Sequence, residues 1–521
     1  MKLCFRKGED KMLKKILALL LVVLMVVPVM VSCGDKTEKP GNSIDYNTEA
    51  KGDADADEEE DPLIAEIDDH VSELATNYNF KGKTFTWIGP DGWEAPVEDE
   101  ETGDVESDAM YFRQREIEDK FALAWVNNRA PTSGEGDTSS PTVDMIKQDV
   151  MAGTGAYDAA YAGNMHTQQL LINDCLMNLT DFTVMDLDRE WWQQDLQGSL
   201  SIGGELYFLQ GSILTSYYQD AMCVVFNKQV AEDYGVEGLY DIVKDGDWTY
   251  DKMFEIASAV PENTSGAGAY RYAGIDGIAI VISHGYSLTE FDDDGNPYLP
   301  DAISQDIVDM ADKYSIIFSD DSQTINIKGR IGGNYENFEE KYGYEHESEM
   351  FEDGKMLFYM TDTSGGAYLR TLDVDFGFLP MPKGSDAQED YISYSGGGNN
   401  VFVPKTSKDP QMLDVILEAM GALGYKYYKP TYYDNMLKSR TVKDFESKEM
   451  LDIIFASKKY DIIEVVDKGA TISGAGEMVT FFNTVIEESS QGMVSKYFIK
   501  SKIVNSSIKG ILANIQSDIK G

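Results

Sequence analysis

The chain has 521 residues, with 91 acidic side chains against 44 basic ones and a formal charge of −47. Residues 1–32 hold six of the bases and two of the acids, so the remainder carries 89 acids against 38 bases, a charge of −51. That balance excludes a nucleic-acid partner and argues against electrostatic docking of the chain on anionic lipid, while 42% hydrophobic content supplies material for two lobes or domains.

The chain opens with its most informative stretch. Lys11-Met12-Leu13-Lys14-Lys15 precedes a mostly apolar run to Val31, followed by Ser32-Cys33-Gly34-Asp35. The run is shorter than the roughly twenty residues of a comfortable membrane span. A basic start, a short apolar run and a small residue before cysteine describe an export signal ending at a lipid-attachment site. The expectation is a signal over residues 1–32 and acyl chains on Cys33, holding the protein on the extracytoplasmic face of a bacterial cell membrane. The competing reading is an anchoring helix with an incidental cysteine. Met30 is a departure, since Leu, Val or Ile usually stands three residues before the cysteine, and either Met1 or Met12 serves as the start. Residues 33–62 read as a tether: Asp53-Ala54-Asp55-Ala56-Asp57-Glu58-Glu59-Glu60-Asp61 is too polar to build a core, and a solvated spacer is favoured over a calcium sponge.

Globular sequence begins near Leu63 and alternates strand and helix. Thr84–Ile88 is a predicted strand ended by Gly89-Pro90, Asp108–Phe121 a helix with an acidic start, and Ala122–Val126 the next strand. A helix over Val143–Met151 presents Val143, Ile146 and Val150 on one face and stops at Gly153. A buried strand over Ala156–Ala160 and a helix containing Leu170 and Leu171 follow. This order predicts an α/β fold built on parallel strands with helices on both faces, ligands sitting outside the carboxyl ends of the strands. Beyond residue 215 come a strand over Met222–Phe226, a helix over Tyr250–Ala259 and a hairpin turn at Asp292-Asp293-Asp294-Gly295-Asn296. Residues 410–521 read as mostly helical, with Ile508, Ile511, Leu512 and Ile515 on one packing face. Cys175 and Cys223 sit in separate apolar segments and read as buried free thiols rather than a disulfide.

From residue 224 onward the segments resemble a family. Val224-Val225-Phe226-Asn227-Lys228, Tyr234-Gly235-Val236, Leu239-Tyr240-Asp241 and Asp247-Trp248-Thr249-Tyr250-Asp251-Lys252 are similar to segments of the extracellular solute-binding proteins of ABC importers. The nearest group is the sugar-binding kind that includes maltose-binding protein. Gly153 to Asp158, Asn178-Leu179-Thr180, Phe351-Glu352-Asp353-Gly354-Lys355-Met356-Leu357-Phe358 and Phe376-Gly377-Phe378-Leu379-Pro380-Met381-Pro382 fall in the order that family has, across residues 80–460. The resemblance implies a two-lobed periplasmic-binding-protein-like fold, hinge-linked, with a helical C-terminal region. It places residues 63–214 plus 396–430 in one lobe and 215–395 plus 431–521 in the other. Crossing segments are expected near Ser212–Tyr218, Ser393–Gly398 and Lys429–Tyr433, and Gly396-Gly397-Gly398 is the expected hinge. It also puts Cys175 and Cys223 in different lobes, where a disulfide would impede closure.

The implied role is capture of a carbohydrate, most simply an oligosaccharide, and its delivery to an ABC permease by a monomer. No cofactor, metal or catalytic residue is implied. An oligopeptide or other solute receptor is the neighbouring alternative, and a secreted carbohydrate hydrolase the alternative from another class. A sugar needs aromatic faces and paired hydrogen bonds from Asp, Asn or Gln. Strand ends and crossings nominate Trp87, Asn164, Tyr217, Tyr218, Trp248, Asp362, Asn399, Asn400, Tyr432 and Tyr433. Trp248 has an equally good reading as packing at the helix start marked by Thr249. Catalytic signatures are missing: His70, His166, His284 and His346 lie at no metal spacing, and no Gly-x-Ser-x-Gly or phosphate-cradling loop occurs.

Overall fold

A computed structural model describes residues 62–515 apart from 92–93, 95–99, 132–139, 195, 326–337, 397, 438–444 and 468–475. The expected signal, Cys33, the tether up to Asp61 and Gly397 lie outside the described residues.

Helix α1 (Pro62–Asn77) leads into β1 (Thr84–Pro90), α2 (Val105–Phe121), β2 (Ala124–Ala130), α3 (Pro141–Ala152), β3 (Ala159–Gly163) and α4 (Asn164–Ile172). Asp104 and Ser140 cap α2 and α3 by accepting the Ser107 and Val143 amides, the usual way of satisfying a free helix N-terminus. Two strands begin later than the sequence predicts. Ala122 is the left-handed cap of α2, with φ 55°, which delays β2 to Ala124. Asp149 accepts the Ala156 amide at 2.7 Å, and the approach to β3 stays irregular until Ala159.

After a long connection come β4 (Met222–Asn227), α5 (Tyr250–Ala257), β5 (Tyr270–Ala273), α6 (Gly277–Ser283), the hairpin β6–β7 (Glu290–Phe291, Pro297–Tyr298), α7 (Gln305–Phe318), β8 (Thr324–Ile325), β9 (Met356–Asp362), α8 (Thr363–Leu369) and β10 (Phe376–Pro380). The hairpin turn is held by Asp292 Oδ1, which accepts the Asp294 and Asn296 amides at 3.0 and 2.8 Å. The rest is β11 (Ser393–Tyr394), β12 (Asn399–Phe402), α9 (Pro410–Leu437), α10 (Phe445–Ala456), β13 (Lys458–Lys459), α11 (Ile463–Val466), α12 (Glu477–Glu487) and α13 (Met493–Ile515).

Two main sheets result, in the orders β12-β3-β1-β2 and β10-β4-β9-β5-β8. They are mixed, which corrects the expectation of parallel strands. In the first, β1 is parallel to β2 and β3, and β12 runs antiparallel to β3 with Asn399 opposite Gly163. In the second, β5 is parallel to β8 and β9, while β4 is antiparallel to β9 and β10. The reason is topological. β4 and β12 enter their sheets from the crossing side, where β3 and β9 end, so they must run the opposite way. The carboxyl ends of β3 and β9 and the amino ends of β4 and β12 therefore meet at one place.

Helix α9 packs on α1 and α2, α10 packs on β10, and α12 packs on α6 and α7. Helices α11 and α13 both lie against α4, and α13 also against α12. Ile508, Ile511 and Ile515 are buried beneath α13, with Leu512 partly so. Cys175 and Cys223 are buried, and among the described residues neither forms a disulfide. Among the described residues no helix is long and apolar enough to cross a membrane.

Candidate functional site

The two sheets are joined by the connections Gln210–Ala221 and Ser393–Gly398 and by the C-terminal part of α9, which contains Pro430. Neither connection lies in a long ladder, so much of its backbone needs side-chain partners. Along the first crossing, Arg113 from α2 donates to Ile213 O. Glu94 accepts the Thr215 and Ser216 amides at 2.6 and 2.8 Å. Thr215–Tyr218 then forms a single 3-10 turn. Glu106 lies beside it, accepting from Gln219 at 3.2 Å, and burial followed by the Glu94 charge raises its carboxyl above the usual range.

The second crossing is tied down from three directions. Asn164, the first residue of α4, donates to Gly396 O at 3.1 Å and accepts from Asn400 at 2.9 Å and from Tyr460. Asn400 also donates to Thr167 at 3.0 Å and accepts from Gln210 at 2.8 Å. Asp220 completes the junction: its Oδ2 accepts Ser395 Oγ at 2.6 Å and the Gly398 amide at 3.0 Å, and its Oδ1 pairs with Lys458 Nζ at 2.8 Å. Lys458 also donates to Tyr217 O and stands 3.7 Å above the Tyr217 ring centroid. This ion pair is inaccessible, with side chains 2% and 11% exposed, and burial lowers the Lys458 pKa against the opposing pull of Asp220. A single carboxylate thus binds two crossing segments and the strand β13.

Two of the expected hinge glycines, Gly396 and Gly398, sit in tight surroundings. Gly396 and Gly398 do not adopt positive φ. A Cβ on Gly396 would stand 2.5 Å from the Tyr394 hydroxyl, and one on Gly398 2.7 Å from Asp220 Oδ2. They are small because the junction is tight.

Of the nominated ligand residues, the structure gathers eight at the crossings. Tyr218 stacks on Tyr432 at 6.0 Å and meets Tyr217 edge-on at 5.3 Å, while Tyr433 bonds Asp452 at 2.9 Å and packs on Phe455. Asn164, Asn399, Asn400 and Asp362 complete the group. Asn400 is fully buried with both amide hydrogens in use, so it shapes the crossing. Asp362 caps α8, Oδ1 accepting the Gly365 amide at 2.8 Å. Tyr217, Asp362 and Asn399 keep partial exposure. The two tryptophans are elsewhere. Trp248 is wholly buried, its indole donating to Pro380 O at 2.9 Å, which is the helix-start packing role. Trp87 is 1% exposed and stacked on Tyr161 at 5.3 Å, with an indole N–H that has no hydrogen-bond partner among the described residues.

The sequence reading missed Glu94, Glu106, Arg113, Asp220 and Lys458. Asp220 and Lys458 are 238 residues apart, and nothing in either neighbourhood signals the other. Among the described residues no group of three or more His, Cys, Asp or Glu is placed to hold a metal.

No family model matches the sequence, and no curated protein matches it. Solved structures do. The sugar-binding protein MalE from Xanthomonas citri aligns over 84% of this chain and 99% of its own, with TM-score 0.53 and 11% identity. A sugar transporter protein from Rhizobium etli in an open conformation aligns over 82% and 99%, with TM-score 0.52 and 12% identity. A cyclo/maltodextrin-binding protein complexed with maltotetraose aligns over 84% and 99%, with TM-score 0.52 and 13% identity. Across most of its length the chain therefore has the two-lobed fold of these binding proteins.

Proposed function

We propose that the protein is the substrate-binding lipoprotein of an ABC importer, anchored through Cys33, which captures a carbohydrate between two lobes and hands it to a membrane permease. The observation that carries this reading is the convergence of strand ends from both sheets on crossings held by one buried ion pair. A ligand drives closure about such a junction only through its preference for the closed form. The fold likeness to sugar-binding proteins supports the solute class. Residues 63–214 with 396–430 would form one lobe and 215–395 with 431–521 the other. The partly exposed Tyr217 and Asn399, the half-buried Glu106 and the remaining oxygen of Asp362 would meet the sugar. The working unit would be a monomer without cofactor, presenting the closed form to the permease outside the cell.

The test is a melting scan of residues 34–521 against monosaccharides, oligosaccharides and peptides, with product analysis on each mixture. Binding to the native state adds RT ln(1 + [L]/Kd), roughly 2.7 kcal/mol at a hundredfold excess over Kd. An upshift with one sugar class, recovered intact, is the expected outcome. Turnover of a panel member would replace the reading with a hydrolase, and a shift from peptides alone would replace the solute.

A further inference from the structure

We propose that the outward face of α13 is a membrane-contact surface for anionic lipid headgroups. In a chain with about two acids per base, α13 carries Lys496, Lys500, Lys502 and Lys509 and no Asp or Glu over its 23 residues. One side of the helix is fully used: Tyr497, Ser501, Val504, Ile508 and Ile511 are buried. The other side is open and apolar, with Val494 56%, Phe498 51%, Ile499 62% and Ile503 45% exposed. At about 3.6 residues per turn, Val494 and Phe498 form one row and Ile499 and Ile503 another on the same exposed side, with Lys502 between the two rows. The lysines lie among and beside these rows. Lys500 and Lys502 are paired with Glu477 and Asp301, whereas Lys496 and Lys509 make no ion pair among the described residues.

Phenylalanine and isoleucine side chains set among lysines are the composition of a helix that lies in the headgroup boundary, where apolar groups enter the acyl margin and ammonium groups meet phosphate. Charge complementarity selects anionic lipid as the occupant. The rest of the chain repels the same surface, so the contact is confined to this face and sets how the protein lies on the membrane. The inference goes beyond the solute-receptor reading and does not rest on it.

Its test is sedimentation of residues 34–521, which include every described residue and no acyl chain, with vesicles of phosphatidylglycerol and phosphatidylcholine in equal parts, against vesicles of phosphatidylcholine alone. The expected result is binding to the first only, weakened by salt as the Debye length falls below ~10 Å. Lys496→Glu with Lys509→Glu should weaken it by on the order of fivefold or more per lysine, and Phe498→Ser with Ile499→Ser should abolish it. All four positions are exposed, so folding, read by the melting temperature, should hold. No binding to the anionic vesicles overturns the proposal, as does binding that both variants leave intact. Self-association of the chain in solution that the same variants remove would assign the face to a second copy and likewise overturn it.

Discussion

The interiors of the two sheets and the crossings between them are stabilised by different means. In the sheets, strands such as β4 are buried along their whole length, backbone groups pair with neighbouring strands, and apolar side chains fill the space. In the crossings the backbone is satisfied by side chains from distant parts of the chain: Arg113 on Ile213, Glu94 on Thr215 and Ser216, Asn164 on Gly396, Asp220 on Gly398 and Lys458 on Tyr217. Ladders resist bending, whereas single hydrogen bonds to side chains allow a segment to change dihedrals as its partners follow. A junction of this kind suits two bodies that must move relative to each other.

Two substitutions of similar size separate these modes. Trp248→Ala removes a wholly buried core side chain and should cost about 3–5 kcal/mol, read by urea denaturation, with no change in overall dimensions of the molecules that remain folded. Asp220→Ala leaves Lys458 buried without its partner and should also cost about 3–5 kcal/mol. Here the small-angle scattering radius of the folded protein should change as well, because Ser395 and Gly398 lose their acceptor. Asp220→Leu combined with Lys458→Met should recover most of the stability, since replacing a buried pair by apolar groups is often neutral, but not the original dimensions. A double variant with unaltered scattering would reduce the junction to ordinary packing.

The same contrast explains what the sequence disclosed. Strands β1 and β4 and helices α2, α3 and α5 follow from local apolar patterns and caps, which the residues carry within about ten positions of each other. The mixed sheets were not legible, because strand direction depends on where the chain re-enters. Nor was the junction: Asp220 precedes β4 as an unremarkable turn residue, and Lys458 is one of two adjacent lysines after a helix. Asn400, nominated from its place at a crossing, is a fully buried node whose partners Asn164, Thr167 and Gln210 lie about 190 or more residues away in sequence. Trp248 was legible in type but not in role, because a tryptophan before a helix cap serves packing as readily as stacking.

Acid should weaken the interior of the second sheet's helical layer. His284, at the end of α6, stacks on Tyr250 at 4.7 Å and bonds Tyr314 at 2.8 Å, and burial lowers its pKa to about 4 from the model-compound value of 6.5. The folded form keeps the ring neutral while the unfolded chain takes up a proton below pH 6.5. Stability is therefore lost as pH falls from 6.5 toward 4, by at most about 3 kcal/mol at roughly 1.4 kcal/mol per pKa unit. The expected outcome is that His284→Gln loses less stability than the parent between pH 7 and pH 4.5 in paired urea titrations. Equal losses would show that the ring titrates normally.

The smallest effect falls where the two regions touch. Asp362 ends β9 and caps α8 through Oδ1, while Oδ2 is the oxygen proposed to face a sugar hydroxyl. Asp362→Ala removes both roles and should cost about 1 kcal/mol of stability together with part of the solute-induced rise in melting temperature. Serine also caps helices well, so Asp362→Ser should retain the stability and still lose that part of the rise. If the serine variant responds to solute as the parent does, Asp362 belongs to the sheet and its helix alone, and the contact with the ligand must come from Tyr217, Asn399 and Glu106.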